Sequence, residues 1–195
     1  MIAYLNGVLT YKSPSLVYVE VNGVGYEVQI SLNTWGRLEA LETVKLLIHQ
    51  LFREDGQTLY GFFDASEKSM FQQLISISGV GAATARMMLS AMRPEEVAEA
   101  ILRNDSRALE RVKGIGRKTA ERIVLELKDK VQKPVGGMPS QAASPMDAAF
   151  HDSLQALVAL GIPRATAEAA VRKVLASMPG ERNLETIIKQ SLLHI

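Results

Sequence analysis

The residues best placed to bind something lie in two short glycine turns. Gly79-Val80-Gly81 and Gly114-Ile115-Gly116 stand 35 residues apart, and their surroundings repeat with them: Leu74-x4-Gly-Val-Gly-x2-Thr84-Ala85 matches Leu109-x4-Gly-Ile-Gly-x2-Thr119-Ala120. Five identities at one offset mark a duplicated unit. In each copy a helix ends, a Gly-apolar-Gly turn follows, and a second helix begins at once, which is a helix-hairpin-helix. Glycines let the chain turn sharply and approach a ligand closely, and the helix that follows opens with unpaired N–H groups that attract phosphate. The candidate contacts are therefore Gly79, Val80, Gly81, Ala82, Ala83 and Thr84 in the first copy. In the second they are Gly114, Ile115, Gly116, Arg117, Lys118 and Thr119, with Arg122 one turn further on. Positive charge at a helix start opposes the helix dipole, and an anionic ligand would remove that conflict.

Contacts of this kind carry no base information, so binding is expected to follow the shape of a nucleic acid and to weaken steeply with salt. The signatures of sequence readers do not occur: there is no zinc-finger spacing, no aromatic RNP pattern and no basic region running into heptads. The net charge of +1 hides an asymmetry. Residues 1–64 carry four basic and seven acidic side chains, residues 65–134 thirteen and nine, and residues 135–195 five of each. The basic excess coincides with the two glycine turns and fits an anionic partner for that segment.

Catalytic chemistry is poorly provided for. There is no cysteine, hence no disulfide, thiolate metal site or thiol nucleophile, which fits a reducing compartment. His49, His151 and His194 have no metal-binding spacing, and no Walker lysine motif occurs. A glycosylase built on such hairpins needs a carboxylate, often with a lysine, beyond the hairpin. Asp129 with Lys128 or Lys130 lies far along a helix without sign of a base pocket. A non-catalytic protein with no cofactor and no metal is expected. A shape-indifferent duplex-binding accessory module of a repair enzyme is the alternative to a reader of DNA architecture.

The elements that must position the turns follow from hydropathy. From Ile2 to Phe63 the period is two: Val17, Val19 and Val21 alternate with Tyr18 and Glu20, and Tyr26, Val28 and Ile30 follow the turn Asn22-Gly23-Val24-Gly25. A helical stretch over residues 34–41 precedes strands over 44–52 and 58–63, joined by Arg53-Glu54-Asp55-Gly56-Gln57. Five strands with one short helix between the third and fourth suit an OB-type barrel, with an SH3-like barrel as the alternative. Helices are expected over 67–77, 82–92, from Glu95, over 106–112 and over 117–131, the last with Ala120, Ile123, Val124, Leu127 and Val131 in one stripe. Residues 132–145 contain three prolines and two glycines and read as a flexible linker spanning roughly 20 Å. Three short helices from residue 146 close the chain. The fold class is α+β and multidomain: a barrel over 1–64, tandem helix-hairpin-helix over 65–131, the linker, and a three-helix bundle over 146–195. No leader or stretch of ~20 apolar residues is found, so a cytoplasmic protein is expected.

The barrel with Arg53-Glu54-Asp55, followed by Leu59-Tyr60-Gly61-Phe62 and then by GVG and GIGRKTAER, resembles the RuvA family over essentially the whole chain. The resemblance implies structure-specific binding of four-way (Holliday) junctions in branch migration, as the non-catalytic subunit of a complex for recombination and repair. It places phosphate contacts at Gly79 to Gly81 and Gly114 to Thr119. It makes Glu54 and Asp55 an acidic pin, whose carboxylates repel backbone at the centre of the junction. It further implies a homotetrameric plate, with one or two tetramers on a junction, the ring ATPase RuvB as partner of the C-terminal bundle, and the resolvase RuvC as another partner. Leu157, Leu160 and Ile162 are the candidate docking residues of that bundle. One departure concerns the helix after the first hairpin, where many relatives carry a lysine. Here Ala82-Ala83 stand in that place, and the nearest cation is Arg86.

Overall fold

A computed structural model describes residues 1–54, 56–131, 145–178 and 183–195. The chain forms two compact units, Met1–Val135 and Gly136–Ile195.

The first unit opens with β1 (Tyr4–Ser13), β2 (Leu16–Val21) and β3 (Val24–Ile30). The helix α1 (Leu32–Leu38) follows, then β4 (Thr43–Arg53) and β5 (Gly56–Phe62). The strands close a barrel in the order β1-β2-β3-β5-β4, antiparallel throughout except for β3 beside β5. This order, with a helix between the third and fourth strands, is that of the OB fold and excludes the SH3-like alternative. Alternation decides which side chains fill it: Val17, Val19, Val28, Ile30, Val44, Leu46 and Ile48 are buried. Asn22 and Gly23 both take positive φ (51° and 82°), the two-residue turn that matches the twist of a hairpin. The helix α1 starts and stops earlier than its hydropathy predicts. Ser31 caps it by accepting from the Thr34 N–H, and a cap of this kind leaves no trace in apolar spacing.

The helices of this unit are α2 (Ala65–Ile75), α3 (Ala82–Ala91), α4 (Pro94–Leu102), α5 (Ser106–Glu110) and α6 (Arg117–Val131). Asp64 caps α2, accepting from the Glu67 N–H, and so moves its start two residues ahead of the expected one. Pro94 sits in the first turn of α4, where its missing N–H costs nothing. The expected stripe of α6 is buried at Ala120, Ile123, Val124 and Leu127. The barrel interior is one apolar cluster and the helices form a second, which reaches onto the barrel through Tyr60 and Phe62 of β5. Phe71 of α2 is fully buried against Tyr60 and Phe62 of β5, with ring centroids 5.1 and 4.9 Å away, and the same apolar cluster continues to Leu127.

The second unit consists of α7 (Pro145–Ala159), α8 (Arg164–Ser177) and α9 (Leu184–Leu192), the last capped by Asn183. Leu154, Leu157, Val171, Val174 and Ile187 form its core. The expected linker lies outside the described residues up to 144, and its last residue, Pro145, opens α7. Among the described residues no helix is long and apolar enough to cross a membrane.

Candidate nucleic-acid interface

The two glycine turns are built alike, bond for bond. In the first, Ile77 N–H donates to the Leu74 carbonyl (3.1 Å), Val80 N–H to that of Ile77 (3.0 Å) and Ala85 N–H to that of Gly81 (2.9 Å). In the second, at the same offset of 35 residues, Val112 donates to Leu109 (3.1 Å), Ile115 to Val112 (3.1 Å) and Ala120 to Gly116 (2.9 Å). Gly79 and Gly114 take φ of +90° and +93°, a region that costs other residues roughly 1–2 kcal/mol. Val80 and Ile115 are buried and anchor each turn to the core.

The outer glycines play a different part. Gly81 is the N-cap of α3 with φ −81° and ψ 165°, a conformation open to any residue. A Cβ built on Gly81 or on Gly116 would meet no atom within 4 Å. Neither internal packing nor backbone conformation therefore requires glycine at position 81. Bare backbone is what lets a bulky ligand reach the N–H groups behind it, and Gly81 has no side chain to satisfy the first turn of α3 itself.

The cations around the second turn divide by partner. Arg117 pairs with Glu121 (2.8 Å), and that carboxylate raises its pKa further above the range where it would lose its proton. The Arg122 guanidinium donates to the Ser78 carbonyl in the first turn (3.1 Å) and lies 3.8 Å from Glu126, so it braces one hairpin against the other. Lys118 is exposed and forms no ion pair among the described residues, and Thr119 is half-buried beside it. In the first copy Ala82 is buried, Ala83 exposed and Thr84 half-buried. Arg86, the cation nearest the first hairpin, is held by the barrel: its guanidinium donates to the Ser15 carbonyl in the β1–β2 turn (3.0 Å). Of the lysines considered for glycosylase chemistry, Lys130 reaches Ser76 Oγ (3.3 Å) and Lys128 reaches Asn104 Oδ1 (3.0 Å).

Two exposed residues escaped sequence reasoning. Lys113 is the residue before Gly114 and corresponds to Ser78 in the repeat, so extending the repeat one residue upstream would have found it. Phe52, 67% exposed, lies two residues before Glu54 on the arm of the β4–β5 hairpin, where it pairs with Gln57. Period-two alternation puts it on the same side of β4 as the buried Val44, Leu46 and Ile48, past the end of the barrel core. Glu54 itself is exposed at the turn; Asp55 lies outside the described residues. Of the expected docking residues, Leu160 is exposed, whereas Ile162 is partly buried against the bundle core. Leu157 is a correction: it is fully buried in that core and holds the bundle together, so it is not available to a partner.

Fold and turns together define a multidomain α+β protein that couples an OB-type barrel to a tandem helix-hairpin-helix. Comparison with known proteins agrees along the chain. The RuvA N terminal domain matches residues 1–61, the SAM-like helix-hairpin-helix tandem residues 71–129, and the RuvA C-terminal domain residues 148–195. Three proteins named Holliday junction branch migration complex subunit RuvA illustrate the similarity. That of Flavobacterium psychrophilum is 44% identical over 195 residues, covering 100% of both chains. Those of Christiangramia forsetii and Geobacter sulfurreducens are 45% and 46% identical, each covering 98% of both chains. The chain belongs to the RuvA family.

Proposed function

We propose that this protein binds four-way DNA junctions as the non-catalytic subunit of a branch-migration complex. The observation that carries the reading is the duplicated turn: two backbone cradles with the same hydrogen bonds and the same open space at the outer glycine. A pair of equivalent cradles suits two phosphates of one duplex arm, and several copies of the chain suit several arms. The name shared by the relatives supports junctions over linear duplex as the target.

In this reading residues 1–64 carry the acidic pin, residues 65–131 grip the arms, residues 132–145 form a tether, and residues 146–195 dock a motor. The N–H groups at the starts of α3 and α6, with Lys118 and Thr119, donate to phosphate oxygens. These charge-assisted bonds hold the DNA by its backbone and leave its bases unread. Glu54 and Asp55 put negative charge where a homotetramer would bring its pins together. Continuous duplex is repelled from that centre, while a junction with an open middle is accepted. Movement of the arms is driven by ATP hydrolysis in a separate ring ATPase, RuvB, docked on the second unit through exposed residues such as Leu160. One or two tetramers enclose the junction, and RuvC resolves it on the same platform. The site is expected to work in the cytoplasm.

Charge removal tests the hairpin assignment. Lys118→Ala is expected to weaken junction binding and to lower the slope of log affinity against log salt by roughly one for each phosphate it no longer neutralises. Arg117→Ala is expected to do less, because Arg117 is already paired with Glu121. Titration of fluorescent junction DNA at several salt concentrations measures both. A Lys118→Ala protein with the parent's affinity and slope would contradict the assignment.

A further inference from the structure

The seam between barrel and helices holds a carboxylate that neither catalysis nor DNA contact explains. Glu67, in the first turn of α2, is only 2% exposed. It has no ion-pair partner among the described residues. Its Oε1 accepts from the Ser31 hydroxyl and its Oε2 from the Thr34 hydroxyl (2.7 Å). Both hydroxyls are fixed in turn: Ser31 Oγ accepts from the Thr34 N–H (3.0 Å), and Thr34 Oγ1 accepts from the Phe63 N–H (3.2 Å). Burial raises the Glu67 pKa, opposed by those two hydrogen bonds. A buried carboxylate is an expensive way to hold two elements together, and well-packed apolar side chains would do as well or better for stability. Directional bonds supply something apolar contact does not, namely one fixed orientation.

The orientation fixed is that of the first hairpin. On its far side α1 holds the end of α3: Asn33 Nδ2 donates to the carbonyls of Leu89 (2.5 Å) and Met92 (3.0 Å), and the Leu32 N–H donates to Ser90 Oγ (3.1 Å). Arg86, also on α3, reaches the Ser15 carbonyl of the barrel. The helix α1 is thus bonded to α2 through Glu67 and to α3 through Asn33, the two helices that flank Gly79-Val80-Gly81. Phe71 adds apolar contact between α2 and the barrel, and Gln72 Nε2 of α2 lies 3.4 Å from His49 Nδ1 of β4.

We propose that Glu67 is a positioning residue that locks the first hairpin to the barrel through α1, so that the hairpins and the Glu54 turn address one junction in a fixed geometry. The proposal rests on the junction reading above. Binding at several points gains from linkage only while the geometry permits all of them at once, so loosening the lock removes junction preference and spares the individual contacts.

The test uses the full chain. It has no cysteine, so spin labels attach only where cysteines are introduced, at Glu27→Cys on β3 and Met87→Cys on α3. Labelled chains are diluted with unlabelled ones, and the label distance is measured by pulsed electron paramagnetic resonance without DNA. Junction and linear-duplex affinities are measured on unlabelled parent, Glu67→Ala and Glu67→Gln. Glu67→Ala is expected to broaden the distance distribution and to cut junction preference over duplex about tenfold, with duplex affinity within about twofold of the parent. Glu67→Gln, which keeps one acceptor and gains a donor, is expected to restore most of both. Should Glu67→Ala fail to fold, Thr34→Val removes one hydroxyl at similar volume and carries the same two readouts. A folded variant with the parent's narrow distribution, or with its full junction preference, overturns the proposal. A parent without junction preference instead sinks the functional reading, and the label distances still decide whether Glu67 locks the seam.

Discussion

Replacing Gly81 and Gly116 together with alanine is expected to leave the chain folded and to weaken its binding to junction DNA by about 100-fold or more, a loss equivalent to two charge-assisted hydrogen bonds at about 1.5 kcal/mol each. The two halves of that expectation come from different observations. The fold survives because an added Cβ meets nothing within 4 Å at either position, and because Gly81 has ordinary extended backbone. Alanine also restricts the unfolded chain, so a slight rise in thermal midpoint is expected. Binding fails because the methyl group occupies the space through which a phosphate reaches the N–H groups of α3 and α6. Alanine at Gly79 and Gly114 gives the contrasting result. There φ is +90° and +93°, so those variants lose stability as well as binding. Thermal unfolding alongside DNA titration separates the two pairs. A Gly81→Ala/Gly116→Ala protein that is stable and binds like the parent would show that these turns only join helices.

Phe71→Ala is expected to produce the largest loss of stability of any single substitution in the first unit, about 3–5 kcal/mol. The ring is fully buried and lies edge-on or tilted to three others, those of His49, Tyr60 and Phe62. Removing it leaves a cavity where α2 crosses the barrel, and α2 leads directly into the first hairpin. Urea unfolding followed by circular dichroism measures the change. A loss below about 1 kcal/mol would mean that the seam collapses around the missing ring and that barrel and helices are less dependent on each other than the packing of Phe71 on β5 implies.

Much of this architecture is legible in the residues. The hairpins announce themselves through identity at a fixed offset, since the same turn needs the same glycines and the same buried apolar residue between them. The barrel is legible because half-buried strands impose period two on Val17 to Ile30. Element ends are less so, because Ser31 and Asp64 set them by bonding to backbone, which hydropathy does not register. The use of each charge is illegible for a similar reason. Arg122 looks like a phosphate ligand in the sequence and Arg86 is the cation nearest the first hairpin, yet their partners in the fold are the carbonyls of Ser78 and Ser15, 44 and 71 residues away in the chain. Glu67 reads as one more surface acid of an amphipathic helix until the hydroxyls of α1 are seen to close over it. Leu157 and Leu160 sit three residues apart in a bundle whose buried face depends on where α8 and α9 pack, so the sequence does not say that one is core and the other exposed.

The most direct measurement of the central claim is a competition between a synthetic four-way junction and linear duplex of the same sequences, at two salt concentrations, for the parent and for Glu54→Gln/Asp55→Asn. The account predicts a strong junction preference in the parent, steep salt dependence on both DNAs, and a smaller preference once the acids are neutralised. Equal affinity of the parent for junction and duplex would contradict it and leave a duplex-binding module that does not distinguish DNA shape.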